Sequence, residues 1–349
     1  MKSMKKVLSV LLVLVMVLSI AACGNKKQDE PKKTDEPKKE EGSKKIGVII
    51  YNGADNYIAT VRKALEKLDA DDATVELDIQ DAQNDQAKFQ EQLDALISKK
   101  VDGLLLNIVD FGAGKAVIDQ VKATKIPTVF FNRDITKDLT EADLTSVIFF
   151  GTVAPQAGVY QGEMALDLWK TNKEMDRNKD GKLQYVMLHG GLDNAEAVAR
   201  TTESVKVFTD NKVEVEELAM KVADWNTEKA KEAVDAWLAK DGDKIEVIFA
   251  NNDGMAEGAV AALKEKGFNS GDAKKYIPVY GVDALASAIE KINAGEMAGT
   301  VKQNNETMAK GALTLIKNKV NGKDWLEGSD LKIYQDKVSV RMDYEKVTK

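Results

Sequence analysis

Short apolar runs alternate with amphipathic stretches along most of the chain after residue 45. Residues 46–51 form a continuous, largely β-branched run, which predicts a strand buried on both faces. Residues 56–68 predict an amphipathic helix, because apolar side chains recur at helical spacing at Ile58, Val61, Leu65 and Leu68. Further apolar runs, each followed by a helical pattern, predict strands at residues 75–79, 103–108, 128–131, 147–150, 183–188, 213–218, 247–250 and 279–282.

This alternation predicts the fold class and the place where ligands bind. Repeated strand–helix units favour an α/β fold in which helices cover both faces of parallel sheets. Since about nine units exceed one comfortable sheet, we predict two doubly wound, Rossmann-like lobes. Ligands of such folds bind outside the carboxyl ends of the strands, so the loops that follow the strands are the first place to look for a site.

The first 45 residues do not follow this pattern. Residues 1–23 have a Lys-rich start and an apolar run that ends Ser-Ile-Ala-Ala before Cys23, which resembles a bacterial lipoprotein signal whose cysteine is lipidated. An ordinary export signal with an incidental cysteine is the alternative. Residues 24–45 contain no aliphatic or aromatic side chain, so we predict a disordered, charged tether. We therefore expect the protein at the extracytoplasmic face of the cell membrane, anchored through Cys23.

Composition and absent motifs exclude several classes of function. The net charge is -7, and residues 46–349 are more acidic than the whole chain, which disfavours nucleic acid as a partner. One Cys and one His exclude a disulfide framework and a His-rich or Cys-rich metal centre. The nucleotide motifs G-x-G-x-x-G and G-x-x-x-x-G-K-[ST] are absent, as are the hydrolase motifs G-x-S-x-G and H-E-x-x-H. These exclusions favour binding over catalysis.

Polar side chains follow many of the predicted strands. Those that could pair with the hydroxyls of a sugar are Asp55, Asn132, Arg200, Asn252 and Asp283. Tyr57 and Trp225 could supply flat faces for the C–H surface of a sugar ring. Each has a simpler interpretation, because Asp and Asn after strands are often turn or helix-cap residues and a lone Trp is often part of the core.

Residues 176–184 predict a second kind of site. Oxygen-bearing side chains occupy the first, third, fifth and ninth positions of an EF-hand calcium loop, with Gly181 at the sixth and the Lys182 carbonyl at the seventh; these side chains are Asp176, Asn178, Asp180 and Gln184. The twelfth position, where a bidentate Glu is required, is Met187, so a complete EF-hand is excluded. Either another residue supplies the carboxylate to a structural Ca²⁺, or the segment is a polar turn.

Taken together, these stretches resemble the galactose/glucose-binding proteins of bacterial ABC sugar transporters, which are class I periplasmic-binding proteins. The resemblance extends from Ile46 nearly to the C-terminus and depends on residues 47–51, 81–86, 129–132, 176–184, 199–202 and 250–253. It implies two lobes joined by three hinge crossings. The first lobe would comprise residues 46–151 and about 304–340, and the second, with the calcium loop, residues 152–303 and about 341–349.

The resemblance also implies how the protein works. The lobes would close over one monosaccharide, D-glucose or D-galactose, and the closed monomer would deliver it to the ABC permease in the membrane. Carried over by position, the polar sugar contacts are Asp55, Asn132, Arg200, Asn252 and Asp283. Tyr57, where the family often has Phe, and Trp225 would stack on the sugar from opposite lobes. Glu246 would be the distant acidic ligand of the calcium.

Three positions depart from the pattern of the best-known members. Asn194 and Glu196 replace a His and an Asp, and Gln303 replaces an Asn, so a pentose or a modified hexose is the alternative ligand. We interpret His189, at the end of a predicted strand, as a rim or structural residue. Asp55 and Asp283 could be the two carboxylates of a lipid-anchored glycoside hydrolase, but their Arg and Asn neighbours favour ionised acceptors, so we expect no enzymatic activity.

Overall fold

The computed structural model describes residues 42–349, which contain two six-stranded sheets covered by helices. The predicted signal, Cys23 and the predicted tether up to residue 41 lie outside the described residues. Within the described residues no helix is long and apolar enough to cross a membrane.

The first sheet has the strand order β11-β5-β4-β3-β1-β2, and all its strands are parallel. Its strands are β1 (Lys44–Ile50), β2 (Val75–Asp81), β3 (Gly103–Leu106), β4 (Thr128–Phe131), β5 (Val147–Thr152) and β11 (Ser339–Met342). The central strands β3, β4 and β5 are buried along their whole length, as their continuous apolar runs predict.

The second sheet repeats this plan with the order β12-β10-β9-β8-β6-β7. Its strands are β6 (Lys182–His189), β7 (Glu214–Val222), β8 (Val247–Ala250), β9 (Val279–Tyr280), β10 (Gly299–Lys302) and β12 (Glu345–Thr348). Only β12 is antiparallel to its neighbour.

Nine α-helices of the described region cover the two sheets. They are α1 (Asn56–Asp71), α2 (Gln86–Ser98), α3 (Gly114–Thr124), α4 (Ala154–Thr171), α5 (Ala195–Asp210), α6 (Thr227–Asp241), α7 (Asp253–Glu265), α8 (Ala286–Asn293) and α9 (Asn305–Val320). Helix α9 packs against α1 on the first sheet, whereas α4 packs against α5 on the second. The first lobe therefore consists of the first sheet with α1–α3 and α9, and the second lobe of the second sheet with α4–α8.

The chain passes between the lobes three times, from β5 to α4, from β10 to α9 and from β11 to β12. The prediction of an α/β fold with two doubly wound lobes is confirmed.

The boundaries differ from the predicted ones by a few residues. Lys44 and Lys45, predicted to end the tether, pair with Val75 and Glu76, because a parallel ladder uses backbone groups and does not require apolar side chains. Thr152 and residues 341–342, predicted for the second lobe, lie in strands of the first sheet. The pattern of apolar runs did not predict the strands β10, β11 and β12.

Candidate ligand-binding site

A cleft between the lobes contains about 390 Å³ of empty space. It lies at the carboxyl ends of strands from both sheets, where the fold class predicts a site. All ten predicted substrate-binding residues line it, namely Asp55, Tyr57, Asn132, Asn194, Glu196, Arg200, Trp225, Asn252, Asp283 and Gln303. Tyr51, Ile58 and Arg133 line it as well and were not predicted.

Asp55 has a structural role and also faces the cleft. Its Oδ1 caps α1 by accepting a hydrogen bond from the Ile58 amide at 2.9 Å, and its Oδ2 accepts one from the Tyr51 hydroxyl at 2.6 Å. The ring of Tyr57 follows in the first turn of α1 and is 5% exposed. The cap interpretation and the binding interpretation of Asp55 are therefore compatible, because the cap places the carboxylate at the mouth of the strand.

Arg133 follows Asn132 at the end of β4. Its guanidinium carbon lies 4.3 Å from the ring centroids of both Tyr51 and Phe111, and its Nη2 donates to the Val109 carbonyl at 2.9 Å. No carboxylate of the described region lies within ion-pair distance of it. The two rings hold the cation in place and leave its charge available to the cleft.

Trp225 closes the cleft from the second lobe and also packs against that lobe's core. Its backbone φ is +62°. A Cβ atom at Gly190 would lie 2.3 Å from the indole ring, so only glycine leaves room for the ring at this place. Asn252, beside it, caps α7 through the Met255 amide at 3.0 Å.

Arg200 is buried among acceptors at the back of the cleft. Its Nη1 donates to the Asn251 carbonyl at 2.7 Å, and its Nη2 donates to Gln303 Oε1 at 2.9 Å and to the Tyr344 hydroxyl at 2.7 Å. Glu196, one helical turn earlier on α5, places its Oε2 at 3.5 Å from Arg200 Nη2. Burial raises the pKa of Glu196, and the charge of Arg200 opposes that shift.

Asp283 lies in a strained turn after β9. Its φ of +126° and that of Ala284, +57°, are both unusual for non-glycine residues. The buried carboxylate of Asp253 secures this turn, since it accepts hydrogen bonds from the Leu285 amide at 2.8 Å and the Thr300 hydroxyl at 2.6 Å. Burial raises the pKa of Asp283 well above its ordinary value, and the neighbouring Asp253 raises it further.

Several buried polar atoms around the cleft have no hydrogen-bond partner among residues 42–349. They are the Tyr57 hydroxyl, Arg133 Nε, Arg200 Nε, Asp283 Oδ2 and Gln303 Nε2. A buried polar atom left unpaired costs about 1–3 kcal/mol, so such atoms are rarely gathered in one place without a ligand to pair with them. The group contains both donors and acceptors, as the hydroxyls of a small polar ligand require.

Two predicted contacts are already occupied by protein groups. Asn194 Oδ1 caps α5 by accepting from the Ala197 amide at 3.0 Å. The two carboxylate oxygens of Glu196 lie 2.8 Å from the Thr152 hydroxyl and 3.0 Å from the Tyr344 hydroxyl. His189 does not line the cleft; it is buried at the end of β6, where its Nδ1 accepts from the Gly191 amide.

The predicted calcium loop lies at the opposite end of β6. The oxygens of Glu246 accept hydrogen bonds from the backbone N–H of Arg177 at 2.7 Å and the backbone N–H of Gln184 at 2.9 Å, so the distant carboxylate does contact the loop. Burial raises the pKa of Glu246 to about 7, and the charges of Asp176 and Asp180 add to the shift. Gln184 Oε1 is buried and has no hydrogen-bond partner in the described region.

The carboxylates near the loop do not form a metal site by themselves. Within residues 42–349, no three His, Cys, Asp or Glu side chains are grouped closely enough to hold a metal ion by themselves. The side-chain amide nitrogens of Asn178 and Gln184 both donate to Asp180 Oδ2, at 2.9 and 2.8 Å. Turning either side-chain amide by 180° exchanges its oxygen and nitrogen. Its oxygen would then face Asp180 and could serve as a ligand of a cation.

Comparison with known proteins shows the family to which the chain belongs. The periplasmic binding protein domain family matches residues 46–324. A D-galactose/methyl-galactoside binding periplasmic protein of Haemophilus influenzae is 36% identical over 306 residues, which are 87% of this chain and 89% of that protein. The chain belongs to the periplasmic binding protein family.

Two further proteins are more distant. A ribose import binding protein of Bacillus subtilis is 27% identical over 323 residues, covering 92% of this chain and 95% of that protein. The structure of an ABC transporter solute binding protein from Bacillus halodurans with bound myo-inositol has a TM-score of 0.72 at 23% identity and covers 90% of this chain and 96% of that one; it shows the shared fold. Since the relatives are binding proteins, the prediction of binding without catalysis is confirmed.

Proposed function

We propose that this protein is the extracytoplasmic sugar receptor of an ABC transporter and that its ligand is a monosaccharide of the glucose or galactose type. The observation that carries the proposal is the set of unpaired buried polar atoms in a cleft lined by aromatic rings from both lobes. The 36% identity to a D-galactose/methyl-galactoside binding protein supports the ligand class.

The geometry suggests how a hexose is held. Tyr57 and Trp225 approach from opposite lobes, so a pyranose ring between them has its C–H faces covered and its hydroxyl edge free. Asp283 accepts hydrogen bonds from hydroxyls, and Arg133 and Arg200 donate to them through nitrogens that have no partner within the described residues. Because the contacts come from both lobes, sugar stabilises the closed form, which then docks on the permease.

A titration series with aromatic variants tests this arrangement. Trp225→Ala should weaken binding of D-galactose by about tenfold or more, whereas Trp225→Phe, which keeps a ring, should lose less. Trp169→Ala, in the same lobe but outside the cleft, is the matched control. If Trp225→Ala binds like the control, Trp225 belongs to the core and not to the sugar site.

A pentose or a modified hexose is the second candidate ligand. It is favoured by the protein partners of Asn194 and Glu196, which leave fewer free groups on that side of the cleft. Isothermal titration with D-glucose, D-galactose, D-ribose and D-xylose decides between the two. Binding of D-ribose at least tenfold tighter than both hexoses would replace the first candidate with the second.

We also propose that residues 176–184 and Glu246 hold a structural Ca²⁺. The supporting observations are the contact of Glu246 with the loop and the side-chain amide of Gln184, which faces Asp180 and presents its oxygen there when turned over. Side-chain oxygens of Asp176, Asn178, Asp180, Gln184 and Glu246, with the Lys182 carbonyl, match the ligands that Ca²⁺ prefers. Chelation should lower the melting temperature of the wild type but not that of Asp176→Ala; an unchanged wild type would mean that the segment is only a turn.

Attachment through Cys23 is the third part of the proposal, and its support is the signal-like sequence before that cysteine. Two lipid chains on one residue suffice for stable membrane anchoring. In detergent phase separation the wild type should enter the detergent phase and Cys23→Ser the aqueous phase. Wild-type protein in the aqueous phase would contradict the anchor.

A further inference from the structure

The three segments that join the lobes meet at two residues of α5. Thr152 ends β5 in the first segment, Gln303 follows β10 in the second, and Tyr344 lies between β11 and β12 in the third. Each contributes a side chain that is hydrogen bonded to Glu196 or Arg200. These two residues are one helical turn apart, so a single patch of one helix contacts every connection between the lobes.

Tyr344 is the member of this group that touches both α5 residues. Its hydroxyl oxygen lies 2.7 Å from Arg200 Nη2 and 3.0 Å from Glu196 Oε2, and 2.9 Å from the Thr152 hydroxyl. It accepts from the guanidinium and donates its own proton to one of the other two groups. Tyr344 is 3% exposed and does not line the cleft, so it can affect the ligand only through its neighbours.

The partners of Arg200 define the plane of its guanidinium. Nη1 is bound to the Asn251 carbonyl, and Nη2 to Tyr344 and Gln303, while the buried Nε has no partner in the part of the chain that the structure describes. Because the guanidinium is rigid and planar, fixing its two terminal nitrogens also fixes the direction of the Nε–H bond. The Tyr344 hydroxyl thereby takes part in aiming a free donor of the cleft.

We propose that Tyr344 is a positioning residue that orients Arg200 toward the sugar and links sugar binding to closure of the lobes. The proposal deepens the proposed function and rests on it wherever a sugar is invoked. Without the hydroxyl, Arg200 Nη2 keeps only Gln303 as a neutral acceptor, and Glu196 or Thr152 loses the donor that the hydroxyl supplies. Both changes loosen the contacts between α5 and the third connection in the closed form.

Binding measurements on a matched pair of variants test the first half of the proposal. Tyr344→Phe removes this hydroxyl; Tyr185→Phe removes one that contacts Glu217 at 3.0 Å in the second lobe, outside the cleft. In titrations of the full chain with D-galactose, Tyr344→Phe should bind about tenfold or more weakly and Tyr185→Phe within about twofold of wild type. Unchanged affinity of Tyr344→Phe would overturn the orienting role. The melting temperature should fall further for Tyr344→Phe than for Tyr185→Phe, because the Tyr344 hydroxyl has three neighbours and the Tyr185 hydroxyl one. Titrations well below both melting temperatures keep each variant folded, so wild-type affinity in a folded Tyr344→Phe would mean a purely structural role.

The second half is tested without sugar. Fluorescent labels at exposed positions 63 in α1 and 232 in α6, introduced as Lys63→Cys and Glu232→Cys together with Cys23→Ser, report the separation of the lobes by energy transfer. Tyr344→Phe should transfer less energy than Tyr185→Phe, since the open form is more populated. Equal transfer would overturn the link to closure. If wild type binds no monosaccharide, the proposed function fails, whereas the energy transfer still decides the role of Tyr344 in closure.

Discussion

Two adjacent glycines, Gly190 and Gly191, allow a test of whether the Trp225 ring contacts the ligand. Gly190 lies directly against the Trp225 indole, and a Cβ there would be 2.3 Å from ring atoms. At Gly191 the nearest atom to an added Cβ is 3.5 Å away, which is an ordinary contact. Gly190→Ala and Gly191→Ala therefore make the same chemical change one residue apart, and only the first disturbs the ring.

The expected size of the effect follows from the clash. Ordinary contact begins at 3.4 Å, so the indole must move by roughly 1 Å toward the cleft or away from its present plane. A stacked aromatic contact contributes about 0.5–1.5 kcal/mol, and a misplaced ring also obstructs the sugar. Gly190→Ala should thus weaken sugar binding by about tenfold, near 1.4 kcal/mol, while Gly191→Ala changes it by less than about twofold.

Isothermal titration with D-galactose measures both variants, and thermal melting confirms that each is folded. If Gly190→Ala remains folded and binds as tightly as Gly191→Ala, Trp225 has no part in holding the ligand.

Two further predictions concern Arg133, which is held between two aromatic rings, and Glu246, whose pKa is raised by burial. Arg133→Gln should weaken binding of D-galactose by about tenfold, since it removes the cation held between Tyr51 and Phe111; titration within about twofold of wild type would place Arg133 outside the site. For Glu246 the folded pKa of about 7 lies above its ordinary 4.5, so its contribution to the stability of calcium-free protein is complete below pH 4.5 and is lost as pH rises toward 7. In the presence of a chelator, wild type should therefore lose melting temperature relative to Glu246→Gln between pH 5 and about 8, and parallel curves would contradict the shift.

The strand-end loops could be predicted from the sequence because two local rules coincide there. Parallel strands bring their carboxyl ends to one edge, and the caps of the following helices supply polar side chains at that edge. Asp55 and Asn252 satisfy both rules, as caps of α1 and α7 that also face the cleft. Periodicity alone thus locates these residues without any knowledge of the ligand.

What was missed depends on contacts between distant segments. Arg133 is held by rings at positions 51 and 111, and no local pattern indicates that these three side chains meet. Its place directly after Asn132 was the one available signal. Likewise, Glu196 follows a helix cap and looks free in the sequence, whereas its carboxylate is occupied by hydroxyls from Thr152 and Tyr344, 44 and 148 residues away.

A monosaccharide of the glucose or galactose type is the ligand that we propose for the cleft. Isothermal titration of the purified protein with D-galactose and D-glucose measures this binding. We expect saturable binding of one sugar per protein, with a Kd at or below about 1 μM for at least one of them, near -8 kcal/mol. No heat from either hexose, together with binding of another small solute by the same folded protein, would contradict it.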